Sequence, residues 1–213
     1  MSTFDPDLHN FEVAFRSAEV GGRVKAAFDA IEANNTDVQV PIDPFSGVSD
    51  DATVPWVSAI TSAGVRTLTR GAGATAASVW FSLPGNVRTA SGKGFKPTGV
   101  KVAWSVATAT LTDVRWELWK RTIPADLSAP AAAQLIAGLT NSEYDAANNT
   151  EAERVSIASH TATVTIPTAA QSFLGTGEQY LLRGYVDGTA GATGVLALKD
   201  AALLGTENLV DLT

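Results

Sequence analysis

The chain has 213 residues, of which 45% are apolar and only 17% charged, with a net charge of −7 and no cysteine. That length and apolar content suffice for a large domain with its own core, although the charged fraction lies below the ~25% usual in soluble domains. An acidic balance without a long basic run argues against binding a phosphate backbone, and the missing thiols exclude disulfides, thiol catalysis and cysteine-ligated metal.

In chain order, "FDPDLHNFEVAFRSAEVGGRVKAAFDAIEANN" is the helical region of the sequence. Asp5 can accept from the open amides of a helix start, and Pro6 suits the first helical position, where its missing N–H costs nothing. Leu8, Phe11 and Phe15, then Val20, Val24, Phe28 and Ile31, recur at helical spacing. Gly21-Gly22 divides the two sets, and Asn34-Asn35 is a plausible stop. The chain does not open on a basic region followed by an apolar run, and no apolar stretch approaches the ~18 residues of a membrane span. The expectation is a protein made and used in the cytoplasm.

Next, "TDVQVPIDPFSGVSDDATVP" is interrupted by Pro41, Pro44, Pro55 and a small acidic cluster. It reads as a linker over 36–54, joining a helical segment at 1–35 to a β body at 55–213. From there the period changes to two. In "GVKVAWSVAT", Val100, Val102, Trp104 and Val106 alternate with Lys101, Ala103 and Ser105, the pattern of a strand buried on one face. "AGVRTLTR", "ASVWFSLPG", "DVRWELWKRT", "HTATVTIPT", "EQYLLRGYVDG" and "TGVLALKDAAL" read as further strands, most of them bounded by Gly, Pro, Asp or Asn. A series of short strands without long helices between them predicts an all-β sandwich or barrel. The exception is "SAPAAAQLIAGL", expected to form a short helix or ordered loop from Pro130 to about Gly138. With "TNSEYDAANNTEAE" it makes a long excursion between strands.

Motifs for catalysis are weak. "GAGATA", Gly71 to Ala76, has dinucleotide-loop spacing, but that chemistry requires a helix to open there, and the sequence runs instead into "SVWFSLPG". His9 and His160 stand outside any zinc pattern, and no G-x-S-x-G elbow nominates a nucleophile. Asp43, Asp50 and Asp51, and Glu143, Asp145, Glu151 and Glu153, form two acidic clusters in loop-like sequence, where solvated acids are common. No cofactor, metal site or enzymatic activity is expected.

The aromatics are the best candidates for recognition. Trp or Tyr rings exposed on a β-sandwich can stack against sugars, and Trp56, Trp119 and Tyr185 could serve; the competing role is core packing, since each ring buries a large apolar area. Trp116 and Trp119 lie three residues apart in "DVRWELWKR". Read as a strand, this stretch sends Trp116 to the core and Trp119 to the other side, with Arg115 and Glu117.

With the strands laid out, the segments "GFKPTGVKVAWSVATATLTDVRWELWKRT", "HTATVTIP" and "GTGEQYLLRGYVDGTAGATGVLALKDAAL" resemble the jelly-roll-type β-sandwich modules of virion proteins of tailed bacteriophages, of the short fibre, spike or head-decoration type. The resemblance covers about residues 65–205 and implies a non-enzymatic structural component of a particle, at head, collar or tail. It also implies a homo-oligomer, with a trimer favoured, whose partners are other virion proteins and which assembles in the host cytoplasm. Host-surface glycan would be a possible ligand. Phe11, Phe15, Val20, Val24 and Phe28 would then form the anchoring or oligomerising stripe, unless the helix packs on its own β body. The alternative is a stand-alone carbohydrate-binding β-sandwich module.

Overall fold

The computed structural model describes residues 22, 36–50, 56–60, 62–70, 76–83, 95–107, 111–124, 126, 132–172, 178–188 and 196–207. Phe11, Phe15, Val20, Val24 and Phe28 therefore lie outside the described residues, as does His9.

Eleven strands are described: β1 (Thr36–Ile42), β2 (Val48–Ser49), β3 (Trp56–Ile60), β4 (Arg66–Arg70), β5 (Ala77–Ser82), β6 (Phe95–Val106), β7 (Leu111–Thr122), β8 (Gln134–Ala137), β9 (Ser159–Thr165), β10 (Glu178–Gly188) and β11 (Leu196–Glu207). They form two antiparallel sheets. One has the order β3-β4-β11-β6-β9, with β1 also paired to β11; the other has the order β2-β5-β10-β7-β8. Strands β4 to β11 alternate between the sheets except at the β7–β8 pair, so the two sheets face each other as a sandwich. The seven segments expected to be strands correspond to β4, β5, β6, β7, β9, β10 and β11.

Alternating side chains of the two sheets meet in one core. Val100, Val102 and Trp104 of β6 and Leu198 and Leu203 of β11 are fully buried on one side; Val79, Phe81, Val114, Trp116, Leu118 and Leu182 oppose them. Burying each such side chain contributes about 1.5–3 kcal/mol. The rings of Trp104 and Trp116 meet across the layers with centroids 5.8 Å apart. Gly184 makes room for this pair, because a Cβ there would sit 2.5 Å from Trp116 Cζ3.

Two expectations are corrected. Residues 36–49, within the expected linker, are built into both sheets: β1 pairs along β11 from Thr36↔Glu207 to Ile42↔Ala201, and β2 pairs with β5. Among the described residues β1 pairs only with β11, and proline is best tolerated on such an edge strand. The segment from Pro130 to about Gly138, expected to form a short helix or ordered loop, contains strand β8, paired to β7. Tertiary pairing overrides alanine's helix preference over so short a stretch.

The excursion after β8 closes over the sandwich. It starts at Gly138, whose φ of 99° suits glycine and whose α-hydrogens lie against the Trp116 carbonyl. A 3₁₀ turn (Asn141–Glu143) and helix α1 (Glu151–Val155) follow. Each opens with a capping box, Thr140 with Glu143 and Thr150 with Glu153. Arg154 on α1 is buried: its Nε donates to Val114 O at 2.8 Å, and Nη1 donates to Asn148 O at 3.0 Å and Asn141 Oδ1 at 3.1 Å. Its guanidinium lies 4.4 Å from the Tyr144 ring centre. The Tyr144 hydroxyl accepts from Trp116 N at 2.8 Å and donates to Gly138 O at 2.9 Å. Burial pushes the Tyr144 phenol well above its ordinary value.

Candidate functional site

The outward side chains of the second sheet form a cluster of rings and charges. Three strands supply it by alternation: Ser78, Trp80 and Ser82 from β5, Arg183 and Tyr185 from β10, and Asp113, Arg115, Glu117 and Trp119 from β7. Their inward neighbours are core, which forces these residues to the other side. Antiparallel register then stacks them in rows. Trp80 pairs with Arg183 and Arg183 with Glu117; Ser78 pairs with Tyr185 and Tyr185 with Arg115; Leu181 pairs with Trp119.

Contacts within the cluster hold the rings in fixed orientations. Trp80 and Trp119 meet edge-on, with centroids 5.8 Å apart and planes at 61°. The Arg183 guanidinium lies 5.3 Å from the Trp80 ring centre and 5.1 Å from that of Tyr185, and the Arg115 guanidinium lies 4.1 Å from the Tyr185 ring centre. Such cation–ring contacts contribute about 0.5–1 kcal/mol each near a surface. Beneath the rings lies Glu117, only 1% exposed. Its carboxylate accepts from Trp119 Nε1 at 2.9 Å and from Arg183 Nη1 at 3.2 Å, and Arg115 Nη1 lies at 3.5 Å. A buried carboxylate without partners would cost several kcal/mol, so these donors are what make its burial tolerable. Arg115 also pairs with Asp113 at 2.8 Å, and Arg183 Nε donates to Ser78 Oγ at 2.9 Å. Desolvation nevertheless raises the Asp113 carboxyl, against the opposing pull of Arg115.

The three aromatic candidates from sequence separate. Trp119 and Tyr185 lie half-buried on this face. Trp56 is only 8% exposed and belongs to the core, so its ring offers no surface for a ligand. Trp80 takes its place. The signal for it was present in "ASVWFS", where Trp80 alternates with Ser78 and Ser82 against Val79 and Phe81, but its nearness to Trp119 depends on β10 lying between their strands.

The other candidates with described contacts are structural. His160 stacks on Trp104 with ring centres 5.0 Å apart, and its Nε2 lies 2.9 Å from Ser156 O. Asp43, Asp50, Glu143, Asp145 and Glu153 each accept a backbone N–H: from Phe45, Ser78, Thr140, Ala147 and Thr150 respectively. Strand β5 starts at Ala77, so no helix follows the glycines of "GAGATA". Among the described residues no group of His, Asp and Glu is arranged to hold a metal ion, and no helix is long and apolar enough to cross a membrane.

No protein-family model and no curated protein matches the sequence. Among solved structures the chain is similar to a xylan-binding module, CBM15, at 12% identity over 81% of this chain and 97% of that one, with a TM-score of 0.44. It is similar also to the CBM22-1–GH10 modules of endo-1,4-β-D-xylanase 10B from Clostridium thermocellum, at 11% identity over 84% of this chain and 30% of that one, TM-score 0.44. A third is the K3 cleaved adhesin domain of Lys-gingipain from Porphyromonas gingivalis, at 12% identity over 79% and 98%, TM-score 0.35. These neighbours are β-sandwich carbohydrate-binding modules and an adhesin domain, and none shows a tailed-phage virion protein. At such identities and scores no ligand follows from them.

Proposed function

We propose that this protein is a non-catalytic carbohydrate-binding β-sandwich, with the outer face of the β5-β10-β7 strands as its binding surface. The observation that carries this reading is the half-buried aromatic triad Trp80, Trp119 and Tyr185, fixed by Arg115, Arg183 and Glu117. Sugar rings present apolar C–H faces and a rim of hydroxyls, so a recognition surface needs flat aromatic rings beside polar donors at fixed positions. This face supplies both. Fixing the rings beforehand also lowers the ordering cost of binding. Asp43, Asp50, Glu143, Asp145 and Glu153 of the two loop clusters accept backbone amides, which supports a binding role over a pair of acids flanking a scissile bond.

A glycan array probed with the purified protein tests the reading. Specific signals that vanish in a folded Trp80→Ala, Trp119→Ala double variant are expected. Signals that persist in that variant would move the site elsewhere.

A second reading is a structural role in a tailed-phage particle, assembled in the host cytoplasm, with residues 1–35 attaching or trimerising the chain. Strands that alternate between two sheets suit a jelly roll, an architecture that serves viral capsid as well as lectin domains, and this supports it. Light scattering and co-sedimentation with particles test it: a monomer that never sediments with particles would remove it.

A further inference from the structure

Resting on the carbohydrate-binding reading, we infer that the ligand of this face is an uncharged glycan, because the guanidiniums that frame the aromatic rings are already neutralised from within the protein. The outward positions of β7 and β10 carry three guanidiniums, at Arg115, Arg121 and Arg183, and three carboxylates, at Asp113, Glu117 and Asp187. Their placement matters more than their number. Glu117 lies between the two central cations, 3.2 Å from Arg183 Nη1 and 3.5 Å from Arg115 Nη1, while Asp113 takes Arg115 Nε at 2.8 Å. Arg121 donates through Nε and Nη2 to the Gln179 amide oxygen at 2.8 Å and 2.6 Å. The planes of Arg115 and Arg183 are spent against Tyr185 and Trp80.

A surface built for uronates or sialates must offer positive charge that the ligand itself compensates. Here Glu117 has taken that place, and a ligand carboxylate approaching Arg115 or Arg183 would meet the field of Glu117 and Asp113 as well. The guanidiniums remain as N–H donors and as braces for the rings, both of which suit hydroxyl groups. Glu117 is thus the residue that sets ligand charge.

The test compares the tightest hits from a printed array of neutral glycans with those from uronate- and sialate-bearing glycans, each titrated by calorimetry at about 50 and about 500 mM NaCl. Neutral glycans are expected to bind at least about tenfold more tightly than acidic ones, with Kd changing by less than about twofold between the salts. An acidic glycan that binds more tightly and weakens about tenfold or more in high salt overturns the inference while leaving the binding face intact. Absence of every signal removes the carbohydrate reading and the inference with it. Glu117→Gln and Asp113→Asn sharpen the outcome, since each exposes part of the guanidinium charge. Both are expected to raise affinity for the acidic glycans, about fivefold or more for Glu117→Gln, in a manner that high salt reverses. Unchanged acidic-glycan affinity in folded variants counts against the inference. Asp113 is partly exposed and its variant keeps the test available if Glu117→Gln does not fold.

Discussion

The two outer faces of the sandwich have the same backbone geometry and very different chemistry. On the β5-β10-β7 face, three aromatic rings, two stacked guanidiniums and a buried carboxylate are locked together. On the opposite sheet Gln39, Lys101, Ala103, Thr161 and Ala202 line a shallow cleft of about 170 Å³, with Asp200 at the bulge of β11. No aromatic ring lines that cleft. Solubility requires only a polar surface, and the residues around that cleft provide one without interlocking rings and charges. The first face concentrates apolar area and charge beyond that need, and the difference is the physical argument for recognition.

The sharpest way to break this comparison is to remove rings from one face and polar groups from the other. The Trp80→Ala, Trp119→Ala double variant should lose glycan affinity by about a hundredfold or more, some 2.7 kcal/mol, in a titration against an array hit. Circular dichroism should show an intact β fold. Below the face, Gly184→Ala should cost about 1–3 kcal/mol, because its methyl group would press on Trp116; chemical denaturation reads this as a lower midpoint. Since Gly184 lies between Arg183 and Tyr185, weaker glycan binding should accompany the loss.

Tyr144→Phe should cost about 1–2 kcal/mol by leaving Trp116 N and Gly138 O without the hydroxyl. It also has a pH signature. The folded state raises the Tyr144 pKa, so the phenol's contribution is fully present below the ordinary value of about 10 and is lost as pH rises through the folded value above it. Stability of the parent should therefore fall at alkaline pH more steeply than that of Tyr144→Phe, as thermal melts would record. The smallest effect is expected on the other sheet: Lys101→Ala should change stability by less than about 0.5 kcal/mol. If it instead abolished glycan binding while the tryptophan variants bound normally, the roles assigned to the two faces would be reversed.

Much of the architecture is legible in the residues. Val100, Val102, Trp104 and Val106, alternating with polar neighbours, identify β6 and its buried side, and the same rule sends Trp116 inward and Trp119 outward. Legibility fails where local signals conflict with pairing. Pro41 and Pro44 disguise β1 and the turn after it, because proline disfavours strands except at an edge, and being an edge is a property of the assembled sheet. Gln134–Ala137 carries alanine and leucine, good helix formers, yet β7 captures it as β8. Trp56 reads as a candidate surface ring because nothing local tells that it is the one residue of its strand buried in the core.

The candidate face divides in the same way. The sequence alone determines which residues of β5, β7 and β10 look outward, since a strand's side-chain period of two is a local property of the backbone. Only the tertiary structure decides that Trp80, Arg183 and Glu117 share a row. These residues are brought together from segments far apart in the chain, by a register that the whole core must satisfy at once. A one-residue slip of any one strand would turn its outward residues inward, so burial of Val79, Val114, Trp116 and Leu182 is what fixes the position of every ring on the surface.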